Sequence, residues 1–242
     1  MMLINLKRFW TKLGALAARS LRVIWWLPLR LFRLWRHIAQ GVLGLVAQKR
    51  SKILHWWVDF AFLLMDLVGV PEVAESLFDF LKWKTRPLSP LEKTLAASVF
   101  GETLPLNHIR MDTKARIGCK NRNIVYVSYF TVNSWGSIRP ATFIHELVHV
   151  WHYLQFGGAY IPMALRAQRS KEGYNYGGVE ALRSSMEKNG KFTDFNLEQQ
   201  AEIVSDYYAI REGLRPVWGK GTLADLPVYE YFLWQIRAPR VA

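Results

Sequence analysis

Cysteine is nearly absent from this sequence. Cys119 is the one thiol among 242 residues, which excludes an internal disulfide framework and a cysteine-rich zinc finger. A lone thiol suits a reducing compartment. Acidic residues are missing from the first 58 positions. The first is Asp59, whereas eleven Lys and Arg residues lie between Lys7 and Lys52. The formal net charge of +13 therefore belongs almost entirely to the N-terminal part. A long apolar run is missing too. The longest charge-free stretch of the basic region, Ile38 to Gln48, is well short of the ~20 residues a membrane-spanning helix needs. His55, Asp59 and Asp66 interrupt the oily segment from Leu54 to Val70. No secretory signal peptide is expected, because basic residues recur throughout the apolar positions and no small-residue cleavage site follows. Internal repeats and low-complexity segments are also absent.

What is present is a half-apolar chain, 51% hydrophobic and 21% charged, able to bury a core. The pattern divides it into a helical region through about residue 86 and a second domain over 87–242. In the first, Leu3, Leu6, Trp10, Leu13, Ala17, Leu21 and Ile24 recur at three-to-four spacing, with Lys7, Arg8, Lys12, Arg19 and Arg22 opposite. After Pro28, Leu31, Trp35, Ile38, Val42 and Leu45 repeat the pattern against Arg30, Arg33 and Arg36. Further helices are predicted over about 53–68 and 71–82. Seven of the eleven tryptophans lie at or before Trp83.

A basic amphipathic helix with tryptophan on its apolar face is the pattern of a segment lying in a bilayer interface. The same pattern also fits stripes packed on one another with their arginines solvated. Two weaker readings remain. An organelle transit peptide would not continue so long or carry so many tryptophans. Nucleic acid ranks third, because no helix-turn-helix, RNA-binding or finger motif accompanies the charge.

The linker Lys84-Thr85-Arg86-Pro87-Leu88 precedes a capping box, Ser89-Pro90-Leu91-Glu92, whose helix ends at Gly101. Residues 109–111 and the run from Asn123 to Phe130 are predicted strands. Pro140 opens a helix that Gly157-Gly158 end. It carries His145-Glu146-Leu147-Val148-His149. The two histidines are four residues apart and leave one helix face a turn apart, so they can take two corners of a zinc tetrahedron. Glu146, ~100° round the helix, can instead accept a proton from a water held there. Chance would produce this pattern in under roughly one in a hundred chains of this length. The surrounding Phe143, Ile144, Leu147, Val148, Val150 and Trp151 imply burial, which is costly for two histidines and a glutamate without a common partner.

A third ligand must come from elsewhere. The metzincin pattern is excluded, since His152 and Gln155 stand where it needs glycine and histidine. His152 shares the face of His145 and His149 and fits a substrate contact or core hydrogen bond. The helix opened by Asn196 carries Glu198, Glu202 and Asp206 at four-residue steps. Glu202 as ligand backed by Asp206, or Glu198 backed by Glu202, are equally compatible with that spacing. Tyr174 or Tyr176 could supply a donor to an oxyanion, and Tyr176 is the expected one.

Residues from about Leu88 to Ile210 resemble the small HExxH proteins encoded beside bacterial type VI secretion components, often labelled Vgr-related. The resemblance rests on Leu88-Ser89-Pro90-Leu91-Glu92 leading to Val99-Phe100-Gly101, on Asn123-Ile124-Val125-Tyr126, and on Ile144 to Trp151. It rests further on Asn196-Leu197-Glu198-Gln199-Gln200 with Asp206-Tyr207-Tyr208. It covers about half the chain, and His152 departs from the glutamine often found there. It implies a gluzincin-like zinc site with His145, His149 and Glu198 as ligands and Glu202 behind them; the helix spacing places Asp206 and His152 behind the ligands as well.

The expectation is thus a mainly helical α+β protein: an amphipathic N-terminal region, then a gluzincin-like domain with a small β-sheet. It would be a zinc-dependent peptidase acting on a peptide or protein substrate, with Glu146 as base. The alternative is a non-enzymatic, zinc-stabilised protein that docks on an anionic membrane surface or a secretion-system component through residues 1–86. The expected setting is the bacterial cytoplasm, peripheral at the membrane, or export by a specialised secretion system.

Overall fold

The three-to-four periodicity of the basic region produces four helices in the computed structural model, which describes residues 2–44, 50–81, 85–116, 118–122 and 124–237. Lys82, Trp83 and Lys84, Leu45 of the second apolar stripe and Asn123 of the predicted strand lie outside these residues. The side chains of Leu3, Leu6, Lys7, Arg8 and Val42 likewise lie outside the description. The protein is mainly helical α+β, with one small mixed sheet. It divides into two compact units, residues 1–85 with 153–162, and residues 86–152 with 163–242.

In the first unit, α1 (Met2–Trp25) and α2 (Leu27–Gly44) are almost continuous. The Trp26 N–H donates to Arg22 O and the Arg30 N–H to Trp26 O, each at 2.9 Å. Pro28 falls in the first turn of α2, where a missing N–H costs nothing. The return arm is α3 (Arg50–Leu67) and α4 (Val70–Leu81), bent by 68° at Gly69, whose φ is +80°. α4 packs on α1 and α3 on α2, so the two arms run antiparallel.

The faces of these arms are reversed from the expectation of solvated arginines. Arg19, Arg22, Arg30 and Arg33 are buried. Arg19 bonds Asp79, and Arg22 donates to Glu75 at 2.7 Å. Arg30 bonds Glu72, while Arg33 lies 3.4 Å from Asp66. Leu63 is the only hydrophobic side chain of α1–α4 buried among the described residues. Periodicity reports that one face is buried without saying which, and here the charged face is buried.

The segment 153–162 belongs to this unit and packs on α3. Gly157 has φ +61°, and a Cβ there would land inside contact distance of the Asp66 carboxylate. At Gly158 a Cβ would lie 3.1 Å from Phe62 O. The pair that stops the HExxH helix therefore also permits close approach of two backbones.

The second unit carries the sheet and the remaining helices. Ser89 caps α5 (Pro90–Phe100) reciprocally: its Oγ accepts from the Glu92 N–H at 3.2 Å and its own N–H donates to Glu92 at 2.7 Å. Strands β1 (Thr85–Pro87), β2 (Arg110–Asp112), β3 (Tyr126–Ser128) and β4 (Thr131–Asn133) lie in the order β1-β2-β4-β3. β2 pairs parallel with β4 and β3 antiparallel with it.

The single strand predicted up to Phe130 is instead β3 followed by a turn at Tyr129, whose φ is +58°. An aromatic run gives no turn signal. The buried amide of Asn133 supplies the brace, donating to Ser128 Oγ and Thr131 O at 2.9 Å each. A short α6 (Cys119–Arg122) precedes this hairpin. After it come α7 (Pro140–Phe156), α8 (Tyr160–Gln168), α9 (Gly178–Glu187), α10 (Leu197–Arg211) and α11 (Leu226–Arg237). Phe100, Ile109, Val132, Ile144, Leu147 and Phe232 form the core around them.

Gly157→Ala should destabilise the protein by about 2 kcal/mol or more, since it adds both a positive-φ strain and a clash. Thermal denaturation checks this, and an unchanged midpoint would remove the close-approach role.

Candidate metal centre

Helix pitch brings two rows of side chains together. α7 presents His145, His149 and His152, and α10 presents Glu198, Gln200 and Glu202. Ser205 Oγ donates to Ala141 O at 3.0 Å, His145 meets Glu202 and His149 meets Glu198. Contacts that step up one helix step down the other, so the two run antiparallel. α10 starts where it does because Asn196 accepts from the Glu198 and Gln199 N–H groups, both at 2.9 Å. Gln199 completes the box by accepting from the Asn196 N–H.

Glu198 Oε2 lies 3.4 Å from His145 Nε2 and 3.4 Å from His149 Nε2. The three donor atoms all lie within 4.8 Å of one another. Glu198 is fully buried, and its Oε2 has no hydrogen-bond partner. The other oxygen is fixed, accepting from Gln168 Nε2 at 3.0 Å.

The ring orientations explain the vacant partner position. Gln200 Nε2 donates to Phe195 O at 2.6 Å, leaving Oε1 as acceptor for His152 Nε2 at 2.9 Å. His152 thus carries its proton on Nε2 and offers a bare Nδ1 to His149 Nδ1, 3.3 Å away. His149 must then hold its proton on Nδ1, and its Nε2 lone pair points at Glu198. His145 is set the same way, with Nδ1 3.1 Å from Glu202 Oε1. Three lone pairs converge on one point, an arrangement stable only with a positive charge among them.

Titration follows from this. Burial works against a charge on His145, yet the nearby carboxylates of Glu198 and Glu202 outweigh it and raise the ring to about 10, so a proton on His145 can itself be the positive charge among the three acceptors. Burial likewise opposes the charge on Glu198, but the two histidines hold it well below the usual carboxylate range. His152, deeply buried and beside His149, is pushed down to about 3 and stays neutral. Burial raises Glu146 above the ordinary carboxylate range. Its Oε2 is also without a hydrogen-bond partner.

The remaining predicted residues fall at different depths. Glu202 Oε2 accepts from Trp218 Nε1 at 3.1 Å. Asp206 holds the loop that carries this tryptophan, accepting from the Val217 and Trp218 N–H groups at 2.6 and 2.9 Å. It also accepts from the Tyr176 hydroxyl at 2.7 Å. Tyr176 is buried and lies 2.9 Å from the Tyr229 hydroxyl as well. The Tyr174 ring stands 6.0 Å from that of His145 and is partly exposed. Gln168, Gln200 and Trp218 were not selected from the sequence. Gln200 sits inside the acidic row but carries no charge to mark it. Gln168 and Trp218 belong to segments without any pattern.

No protein-family model matches the chain, and no solved structure matches it. Among curated proteins, an alignment of length 135 that covers 51% of this chain shows 29% identity with type VI secretion system spike protein VgrG2b of Pseudomonas aeruginosa. The chain spans only 13% of that protein's length. Over about half of its residues, then, this protein is similar to a small part of a bacterial type VI secretion spike protein.

Proposed function

We propose that the protein is a zinc-dependent peptidase whose ligands are His145, His149 and Glu198. The observation that carries this reading is the unpartnered Glu198 Oε2, 3.4 Å from two imidazole nitrogens whose lone pairs face it. Zinc ligands at ~2.0–2.2 Å in a tetrahedron lie roughly 3.3–3.5 Å from one another, so the donor set fits. Two histidines and a carboxylate are also a catalytic rather than a structural complement, because three protein ligands leave one position for water or substrate. His152 does not supply a fourth, being turned to His149 and Gln200.

Zinc held there would lower the pKa of a bound water toward ~7. Glu146 accepts the proton of the attacking water and returns it to the leaving amine, and burial raises its pKa, which helps it hold that proton between the two steps. Glu202 and His152 hold the two imidazoles in the tautomers that leave Nε2 free. Tyr174 is assigned the oxyanion-donor role in preference to Tyr176, whose hydroxyl is committed to Asp206. The similarity to a spike protein supports a role in type VI secretion, with the peptidase exported or held near the secretion apparatus and acting on a peptide or protein substrate.

Elemental analysis should find one zinc per chain. His149→Ala and Glu198→Ala should lose it, whereas Glu202→Ala should weaken binding ~10–100-fold in chelator competition. A folded wild-type protein that neither contains nor takes up zinc would sink the reading. Glu146→Gln should keep the metal and lose at least ~100-fold in peptide hydrolysis; retained turnover would remove Glu146 from the mechanism. Tyr174→Phe should lower kcat by ~100-fold with little change in KM. Tyr176→Phe should chiefly lower the denaturation midpoint, and the reverse pattern would exchange the two assignments.

A further inference from the structure

The N-terminal unit is built inside out. Between Leu13 and Trp35, and again between Phe60 and Asp79, every ionisable side chain is buried. These are Arg19, Arg22, Arg30 and Arg33 on one arm, and Asp66, Glu72, Glu75 and Asp79 on the other. They pair across the antiparallel arms in register, Arg19 with Asp79 and Glu75, Arg22 with Glu75 and Glu72, Arg30 with Glu72 and Asp66, and Arg33 with Asp66. Four cations meet four anions, so the set is neutral as a whole.

The outer surface of the same segments is apolar. Ile24 is 71% exposed, Trp25 83% and Val73 67%, with Leu21, Leu31 and Leu77 also outside. A water-soluble helical bundle distributes these residues the other way, with apolar side chains inside and charges on the surface. The pattern runs along both arms outside the part of α3 that segment 153–162 covers at Phe62 and Asp66, which a single docking groove would not require.

We propose that this helical hairpin inserts into the hydrocarbon of a lipid bilayer, with its arginine–carboxylate ladder as a self-neutralised interior. Among the described residues no single helix is long and apolar enough to cross a membrane, but the bent pair Lys52–Leu67 and Val70–Asp79 passes that test together by length and composition. Pairing removes the reason each helix fails alone: an arginine or aspartate facing lipid is expensive, whereas one bonded to its opposite inside the hairpin is not exposed to lipid. The 23 residues from Leu13 to Trp35, whose charged side chains are the four buried arginines, would extend about 35 Å as straight helix, against a hydrocarbon thickness of about 30 Å. Lys12 lies just outside one end of this stretch, and Arg36 and the exposed Lys52 lie toward the other end of the hairpin. This binding mode differs from an electrostatic attachment, because the four central arginines are spent internally and offer nothing to lipid headgroups.

The test is flotation of the full chain, purified in mild detergent and then transferred to vesicles. With purely zwitterionic phosphatidylcholine vesicles it should float equally at low and high salt and resist alkaline carbonate. Ile24→Glu combined with Val73→Glu places two charges on outward positions that water tolerates. Its floated fraction should fall by about tenfold or more, with the detergent-solution circular dichroism unchanged. Flotation by the double variant equal to wild type would overturn the proposal. So would binding confined to anionic vesicles and released by salt, which indicates surface attachment. A monodisperse dimer in lipid-free buffer that ignores vesicles would also overturn it, assigning the apolar face to a second copy of the chain.

Discussion

The site depends on the register at which α10 crosses α7. Both helices repeat every 3.6 residues, so each offers a row of side chains one turn apart. Antiparallel packing fixes which carboxylate faces which imidazole. Ser205 on Ala141 O sets that register at one end and Gln200 on His152 at the other. Between these two hydrogen bonds, Glu198 Oε2 is equidistant from both Nε2 atoms and Glu202 falls on the far nitrogen of His145. A slip of one turn would put Glu202 where Glu198 stands and Asp206 where Glu202 stands, and would break the Asp206 contacts to the Val217 and Trp218 N–H groups.

Such a site is expensive to build, because three acceptors must be buried against each other. The surrounding contacts meet that cost by rigidity. Gln168 holds one oxygen of Glu198, Trp218 holds one oxygen of Glu202, and Asp206 holds the loop that carries Trp218. Asp206 is therefore three contacts removed from His145, acting through the loop, the indole and Glu202. The lone pairs left over cannot relax away from one another, which is the condition for strong cation binding.

The sequence made part of this legible and the reasons for the rest are physical. The HExxH spacing identifies a helix face because α-helix pitch is invariant, and Asn196, Ser89 and Pro140 mark helix starts by local chemistry alone. Spacing did not separate Glu198 from Glu202, because both registers place a carboxylate one turn from another. That choice depends on how two distant helices cross. Trp218 and Gln168 were invisible for the same reason, since their contacts span 16 and 30 residues of loop and helix. The β3–β4 turn was missed because its strained residue is Tyr129 rather than glycine or asparagine. In the N-terminal unit the elements were legible but their facing was not. Apolar and charged stripes were correctly located on opposite faces, and the sign of burial was inverted. The signal that bears on it lies far downstream: Asp66, Glu72, Glu75 and Asp79 match the spacing of the arginines when the chain folds back.

Buried charge follows one rule in both units, applied to opposite ends. In the hairpin each guanidinium meets a carboxylate, so opposite charges cancel within the unit and its exterior can do without charge. At the α7–α10 crossing the neighbouring groups are arranged so that cancellation is incomplete: acceptors face acceptors, and Glu202 and His152 direct the imidazole protons away from the centre. A fully paired set is indifferent to cations and compatible with an apolar surround. An underpaired set is what the proposed zinc would complete, with the separation of the donors setting which ion fits. The difference between the two lies in register alone, since Arg, His, Asp and Glu on adjacent helices supply both.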